Sequence, residues 1–257
     1  MSLEGRVALV TGGGRGIGRA IAIGLAADGA DVAVNYRRDD EAAAENVAEI
    51  QSLGRRAIAV AASVNDVDAN SAMVEQVVDK LGPVSILVPN AGIASRGQTV
   101  ENTEPAELER VMSTHAFAGH YLARLVLPSM RTCERGDIVM ISSAATKRFR
   151  ANGAPYSMAK AALEALAYTL AKEVRADGIH VNVVAPGLVE TEMGRRLMQA
   201  TTGVQSLREL DERMPFSRVC QPEDVANAVR YFVSPHNTYM TGERVYVDGG
   251  GQDFRST

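Results

Sequence analysis

The sequence predicts an α/β fold: a single doubly wound parallel sheet of about seven strands, with helices on both faces. Three observations predict it. Short β-branched runs alternate with long helical stretches from one end of the chain to the other. The runs are apolar at nearly every position instead of every second one, as strands buried on both faces require. A glycine-rich turn stands between the first run and the first helical stretch. Parallel strands joined through helices make right-handed crossovers, so the alternation sets the winding as well as the class.

The elements follow in order. A strand at 6–10 runs through the glycines into a helix at 17–28, and a strand at 31–36 leads to a helix at 40–53. Strands at 57–60 and 85–88 flank a helix at 66–81. A long periodic stretch at 107–130 precedes the strand at 137–141. The next helix, 155–177, opens on Pro155, a residue whose fixed φ suits the first helical position. Strands at 180–185 and 244–247 close the set. Residues 187–218, with Gly187, Gly194, Gly203 and several methionines, form a stretch too long for an idle connection, and we expect a substrate lid there. No linker, charge block or repeat marks a boundary, so residues 1–257 are read as one domain.

Composition excludes several function classes. A net charge of −4 and a pI near 5.7 leave no basic field for nucleic acid or an anionic membrane. No apolar run is long enough to span a bilayer. The start, Met1-Ser2-Leu3-Glu4-Gly5-Arg6, enters the first strand without a charged leader and apolar stretch, and we expect a cytoplasmic protein. Cys133 and Cys220 stand far apart in no Cys-x-x-Cys context, so reduced thiols are expected. His115, His120, His180 and His236 show no ligand spacing, and no metal is expected.

The first strand ends in Thr11-Gly12-Gly13-Gly14-Arg15-Gly16-Ile17-Gly18, and a helix follows at once. Glycines let the chain turn tightly and bring backbone N–H groups against a pyrophosphate at the positive end of a helix. The spacing is Gly-x-x-x-Gly-x-Gly through Gly12, Gly16 and Gly18, because Ile17 stands where Gly-x-Gly-x-x-Gly needs its third glycine. In a Rossmann-type sheet this is where a dinucleotide sits.

Together with further motifs, the loop resembles the short-chain dehydrogenase/reductase family, and within it the 3-oxoacyl-[acyl-carrier-protein] reductases. Asn90-Ala91-Gly92 follows the fourth strand, Ser143 the fifth, Tyr156-x-x-x-Lys160 opens a helix, Pro186-Gly187 follows the sixth strand, and Val247-Asp248-Gly249-Gly250 stands near the end. The resemblance covers essentially the whole chain. It implies a cofactor site formed by Gly12, Gly14, Arg15, Gly16, Ile17, Gly18, Tyr36, Arg37, Arg38, Ser63, Val64, Asn90, Ala91, Gly92, Tyr156, Lys160, Pro186, Gly187, Val189 and Thr191. Ser63-Val64 stands where the family usually has Asp-Val beside the adenine, and Pro89 where many relatives have a second Asn.

The end of the second strand bears on cofactor choice. A site for NAD(H) usually places a carboxylate here to hold the ribose hydroxyls. This chain has Tyr36, then Arg37 and Arg38, with Arg15 in the glycine loop expected to converge on the same spot. Guanidinium groups match phosphate geometry and charge, so NADP(H) is preferred, with NAD(H) left open.

Tyr156 and Lys160 are four residues apart, which puts both on one helix face. A free phenol is too weak an acid–base at neutral pH, and a close ammonium is expected to lower its pKa. Tyr156 then exchanges a proton with the oxygen of a carbonyl or alcohol. The resemblance assigns Ser143, rather than the adjacent Ser142, to hold that oxygen. It also implies an Asn three residues before a glycine on the long helix; counting back from Gly119 gives Ala116, with His115 expected on another face.

The implied activity is reduction of a 3-oxoacyl thioester or similar ketone. The alternatives are a sugar, steroid or polyol dehydrogenase, or a dinucleotide-binding protein silenced through Ala116. Arg131, Lys172 and Arg175 offer a cationic face to an acyl carrier protein, although solvated helix ends account for them equally. In the helix at 155–177, Ala162, Leu166 and Leu170 are expected to serve the core. Ala161, Ala165, Tyr168 and Thr169 lie elsewhere on it, on a face suited to a homo-oligomer, dimer or tetramer.

Overall fold

The structure is a computed structural model that describes residues 2–251. Its sheet contains β1 (Val7–Val10), β2 (Asp31–Tyr36), β3 (Ala57–Ala61), β4 (Val84–Val88), β5 (Gly136–Ile141), β6 (Ile179–Pro186) and β7 (Arg244–Val247). The order is β3-β2-β1-β4-β5-β6-β7, and every pairing is parallel. The expected strands are all present, with ends displaced by a residue at most.

Alternate residues of one strand feed two cores, which is why the runs are apolar throughout. Val7 and Leu9 of β1 join one cluster, while Ala8 and Val10 join the other. The first cluster takes in α3 (Val67–Leu81), α5 (Ala118–Met130) and α7 (Ala154–Val174). The second takes in α1 (Gly16–Ala27), α2 (Asp40–Ser52) and α9 (Pro222–Val233). Asp39 and Asp66 cap α2 and α3 by accepting from the N–H groups of Ala42 and Ala69.

The long stretch at 107–130 is not one regular helix. It begins earlier, as α4 (Pro105–Met112), and reaches α5 through a π-turn over Ser113–Phe117. A π-turn adds a residue to the turn and so rotates every later side chain relative to a uniform count. The face assignments on α7 are corrected as well. Its core residues are Ala159, Leu163, Ala167, Leu170, Ala171 and Val174, whereas Ala162 and Leu166 are half-buried. The region 187–218 carries its own structure: α8 (Glu192–Thr202) and 3-10 turns over Leu207–Arg213 and Pro215–Ser217. Leu207, Leu210 and Val219 form a small separate cluster there, packed by Leu188, Met198 and Met214.

At the base of the sheet, Asp137 of β5 is buried and held by two guanidinium groups. Arg6 donates to it at 2.7 Å and Arg135 at 2.9 Å. Removing one side of a buried pair strands the other charges. Asp137→Ala is therefore expected to cost about 3 kcal/mol, read by chemical denaturation, with Asp137→Asn costing less.

Candidate active site

The glycine loop is locked to its neighbours before any ligand enters. Thr11 Oγ1 accepts from the backbone N–H groups of Asn90 and Ala91, each at 3.0 Å. Asn90 Nδ2 donates back to the Thr11 carbonyl at 2.8 Å. From the other side, Gly13 N–H donates to the Asn35 carbonyl at 2.9 Å, and Asn46 Nδ2 donates to the Gly13 carbonyl at 2.7 Å. Gly12 and Gly16 have φ of +61° and +55°, a region costly for any residue with a Cβ. A Cβ on Gly18 would stand 2.2 Å from the Gly12 carbonyl oxygen. Helix α1 starts at Gly16 with no side-chain cap, which leaves its first N–H groups facing the loop. All this lies between β1 and β4, where the strand order reverses.

The other residues expected at the cofactor gather around this loop. Tyr36 is half-buried, and Arg37 and Arg38 are exposed with no ion-pair partner among the described residues. Arg15 Nη1 pairs at 2.6 Å with Glu192 of α8. Ser63 and Val64 follow β3, and Val64 helps line a cavity of about 10 Å³ with Thr11, Pro89, Ala91 and His115. Pro186 ends β6, and its carbonyl accepts from Ala144 N–H at 2.8 Å. A Cβ on Gly187 would lie 3.0 Å from that of Asp248, so β6 and β7 leave the sheet in close contact. Val189 is buried, and Thr191 caps α8 by accepting from Gly194 N–H at 3.0 Å. The Thr191 methyl lies 3.2 Å from where a Gly16 side chain would begin, so the start of α8 rests on the glycine loop.

Ser143, Tyr156 and Lys160 come together beside it. Ser143 follows β5, and its hydroxyl stands close enough to Tyr156 to favour the phenolate. Lys160 is buried, donates to the Ile141 carbonyl at 2.7 Å, and places Nζ 5.7 Å from the Tyr156 ring centre. Burial pulls the Lys160 pKa down to about 7, opposed by the charge of Glu164. The expected lowering at Tyr156 is not found. Burial pushes its pKa up, and the Ser143 hydrogen bond only partly offsets this. An amine brought close to neutrality by its own burial has lost much of the charge that would act on the phenol.

The fourth side chain at this centre is His115, not Ala116. Its ring meets that of Tyr156 edge-on, with centres 5.3 Å apart. Nε2 lies 2.9 Å from the Ile93 carbonyl and 3.2 Å from the Ile93 N–H, while Nδ1 is buried without a partner among the described residues. Gly92 makes room for the ring, since a Cβ there would meet Cε1 at 2.5 Å. Placing His115 on another face assumed a regular helix, and the residue sits in the π-turn instead. The only hint in the sequence was a histidine set among Thr114, Ala116 and Phe117.

Residues 12–252 match a family model described as enoyl-(acyl carrier protein) reductase. The chain belongs to the short-chain dehydrogenase/reductase family. It is thus an NAD(P)-dependent oxidoreductase. A 3-oxoacyl-[acyl-carrier-protein] reductase of a Synechocystis strain is 35% identical, over 97% of this chain and 98% of its own length. Among solved structures, a 7α-hydroxysteroid dehydrogenase complexed with NADH and 7-oxo glycochenodeoxycholic acid superposes with a TM-score of 0.89. That pair shares 33% identity and covers 99% of this chain and 97% of the other. A blue fluorescent protein from a metagenomic library, in complex with NADPH, gives a TM-score of 0.88 at 36% identity, covering 97% and 99%. In this short-chain dehydrogenase/reductase the glycine loop fits a diphosphate, because the crowding at Gly18 and the uncapped α1 leave backbone N–H groups as its donors. Among the described residues no group of three or more His, Cys, Asp or Glu side chains is arranged to hold a metal, and no helix is long and apolar enough to cross a membrane.

His115 gives this site a pH signature. Burial and the Lys160 charge lower its pKa from 6.5 to about 3. Between those values the unfolded chain binds the extra proton, so stability rises with pH. Going from pH 7 to pH 5 is expected to cost the protein about 2 kcal/mol through this residue. His115→Gln removes that part of the slope in urea unfolding; equal slopes in both proteins would mean the folded imidazole is charged.

Proposed function

We propose that this enzyme reduces a ketone, of the 3-oxoacyl thioester kind, to an alcohol with NADPH. The observation that carries the proposal is the convergence of Ser143, Tyr156 and Lys160 beside the glycine loop. The dinucleotide supplies the hydride. The Ser143 hydroxyl holds the substrate oxygen as negative charge develops on it. Tyr156, kept protonated by its burial, delivers its proton to that oxygen. Lys160, with a pKa near the working pH, is poised to return a proton to the phenolate left behind. His115 packs against the phenol and fixes its position from the side away from Lys160's own helix.

Gly12, Gly14, Gly16, Ile17 and Gly18 hold the diphosphate, with Asn90, Ala91 and Gly92 beside the ribose and Pro186, Gly187, Val189 and Thr191 bounding the nicotinamide end. Arg37 and Arg38, with no ion-pair partner among the described residues, suit a 2′-phosphate. Segment 187–218 acts as the lid. It exposes Met193, Leu197 and Phe216, apolar side chains better matched to an acyl or steroid body than to a polyol.

Parallel assays with NADPH and NADH on a short 3-oxoacyl thioester test this reading. Turnover is expected to favour NADPH. Replacing Arg37 and Arg38 by Ala should raise KM for NADPH about tenfold or more and leave that for NADH nearly unchanged. Equal use of both cofactors would rule out the clamp. Tyr156→Phe should lower turnover by about a thousandfold with NADPH affinity retained; a Phe variant as fast as the parent would remove Tyr156 from the chemistry.

A further inference from the structure

The reaction chemistry above leaves one buried charge unused. Glu164 stands one turn beyond Lys160 on α7, so the two side chains share a helix face. It is buried, and three side chains converge on it from other elements. Ser142 Oγ donates to Oε1 at 2.6 Å, and Thr146 Oγ1 donates to the same oxygen at 2.8 Å. Arg244 of β7 pairs with Oε2. A carboxylate loses several kcal/mol of hydration on burial, and these partners replace the hydrogen bonds that water would have made.

Two of those partners bracket Ser143. Ser142 precedes it, and Thr146 closes the turn after it by donating its N–H to the Ser143 carbonyl at 3.1 Å. The carboxylate therefore grips both sides of the short turn that presents the Ser143 hydroxyl to Tyr156. Ser142, passed over for the oxygen-holding role, is one of these grips.

Charge makes the second connection. The groups around Lys160 are Tyr156 and Glu164 on its own helix, His115 from the π-turn, and the Ile141 carbonyl at the end of β5. Arg244 stands behind Glu164 and reaches Lys160 only through it. Of these, Glu164 alone is an anion, and it opposes the burial that drives Lys160 towards the neutral amine.

We propose that Glu164 is a positioning residue of the reaction centre: its buried carboxylate favours the charged form of Lys160 and, through Ser142 and Thr146, fixes the turn that carries Ser143. The proposal rests on the assignment of Ser143, Tyr156 and Lys160 as that centre. A carboxylate that merely ties β7 to α7 would anchor the fold and leave the state of Lys160 untouched.

The chain has four lysines, so an NMR titration of 13C-lysine-labelled protein isolates Lys160, identified by the signal lost in Lys160→Met. The expected midpoint in the parent protein is near neutral. Glu164→Gln should lower it by about one pH unit or more, because the opposing anion is gone. Glu164→Asp keeps the charge, serves if the Gln variant fails to fold, and should hold the midpoint within about half a unit. Thr146→Val should leave the midpoint alone yet lower kcat by loosening the Ser143 turn. An unmoved midpoint in folded Glu164→Gln, or equal falls in the Gln and Asp variants, would overturn the proposal. An inactive parent protein whose Lys160 midpoint still follows Glu164 would overturn the assignment of the reaction centre while leaving the electrostatic link standing.

Discussion

One hydroxyl holds the C-terminal edge of the sheet together. Thr11 receives the N–H groups of Asn90 and Ala91, so the loop leaving β1 and the turn leaving β4 move as one piece. Strands β1 and β4 are where the order of the sheet reverses, and their helices depart to opposite faces. That divergence opens a crevice, and without a tie across it the glycine loop would have nothing to set its height. Asn35 and Asn46 repeat the device on the far side of the loop. The result is a phosphate cradle whose backbone groups are oriented by buried side chains, and such preorganisation spares the ligand the cost of ordering them.

The same edge carries the chemistry, and there burial is the controlling force. Burial shifts Tyr156, Lys160 and His115 towards their neutral forms; Ser143 and Glu164 oppose it at the first two, and the Lys160 charge reinforces it at His115. Acid–base groups drawn towards neutrality and separated by a few ångströms are suited to moving a proton with little build-up of charge in a dry site. Glu164 is the one carboxylate feeding charge into that set. Its counter-charge arrives from β7, so the last strand of the sheet is electrostatically joined to the centre although it contributes no reacting group.

Most of this was legible in the chain. Strands apolar at every position announce a sheet covered on both faces, and Gly12, Gly16 and Gly18 announce a turn too tight for side chains. Tyr156 and Lys160 are separated by one helical turn, so their meeting follows from period alone. What stayed hidden depended on geometry that period does not encode. His115 was placed on the wrong face because a π-turn is a property of how α4 and α5 pack, not of the residues in it. The ion pair of Arg15 with Glu192 depends on where α8 comes to rest, which no local pattern states. The lowering expected at Tyr156 failed because it assumed a fully charged lysine, and only coordinates reveal how deeply Lys160 is buried.

The π-turn itself connects these points. Residues 113–117, which period alone reads as regular helix, form a π-turn with His115 at its centre. The wider turn instead lays an imidazole edge-on to the phenol, anchored at Nε2 by both the N–H and the carbonyl of Ile93. With Nε2 able to accept from one and donate to the other, either neutral tautomer keeps the anchor. Gly92 completes the arrangement, since its missing side chain is the space the ring occupies. A ring held in place in both tautomers keeps the phenol fixed whichever nitrogen carries the proton. The irregular turn, the glycine beside the cofactor loop and the histidine are therefore one structural unit, and exchanging any one of them alone breaks the fit of the other two.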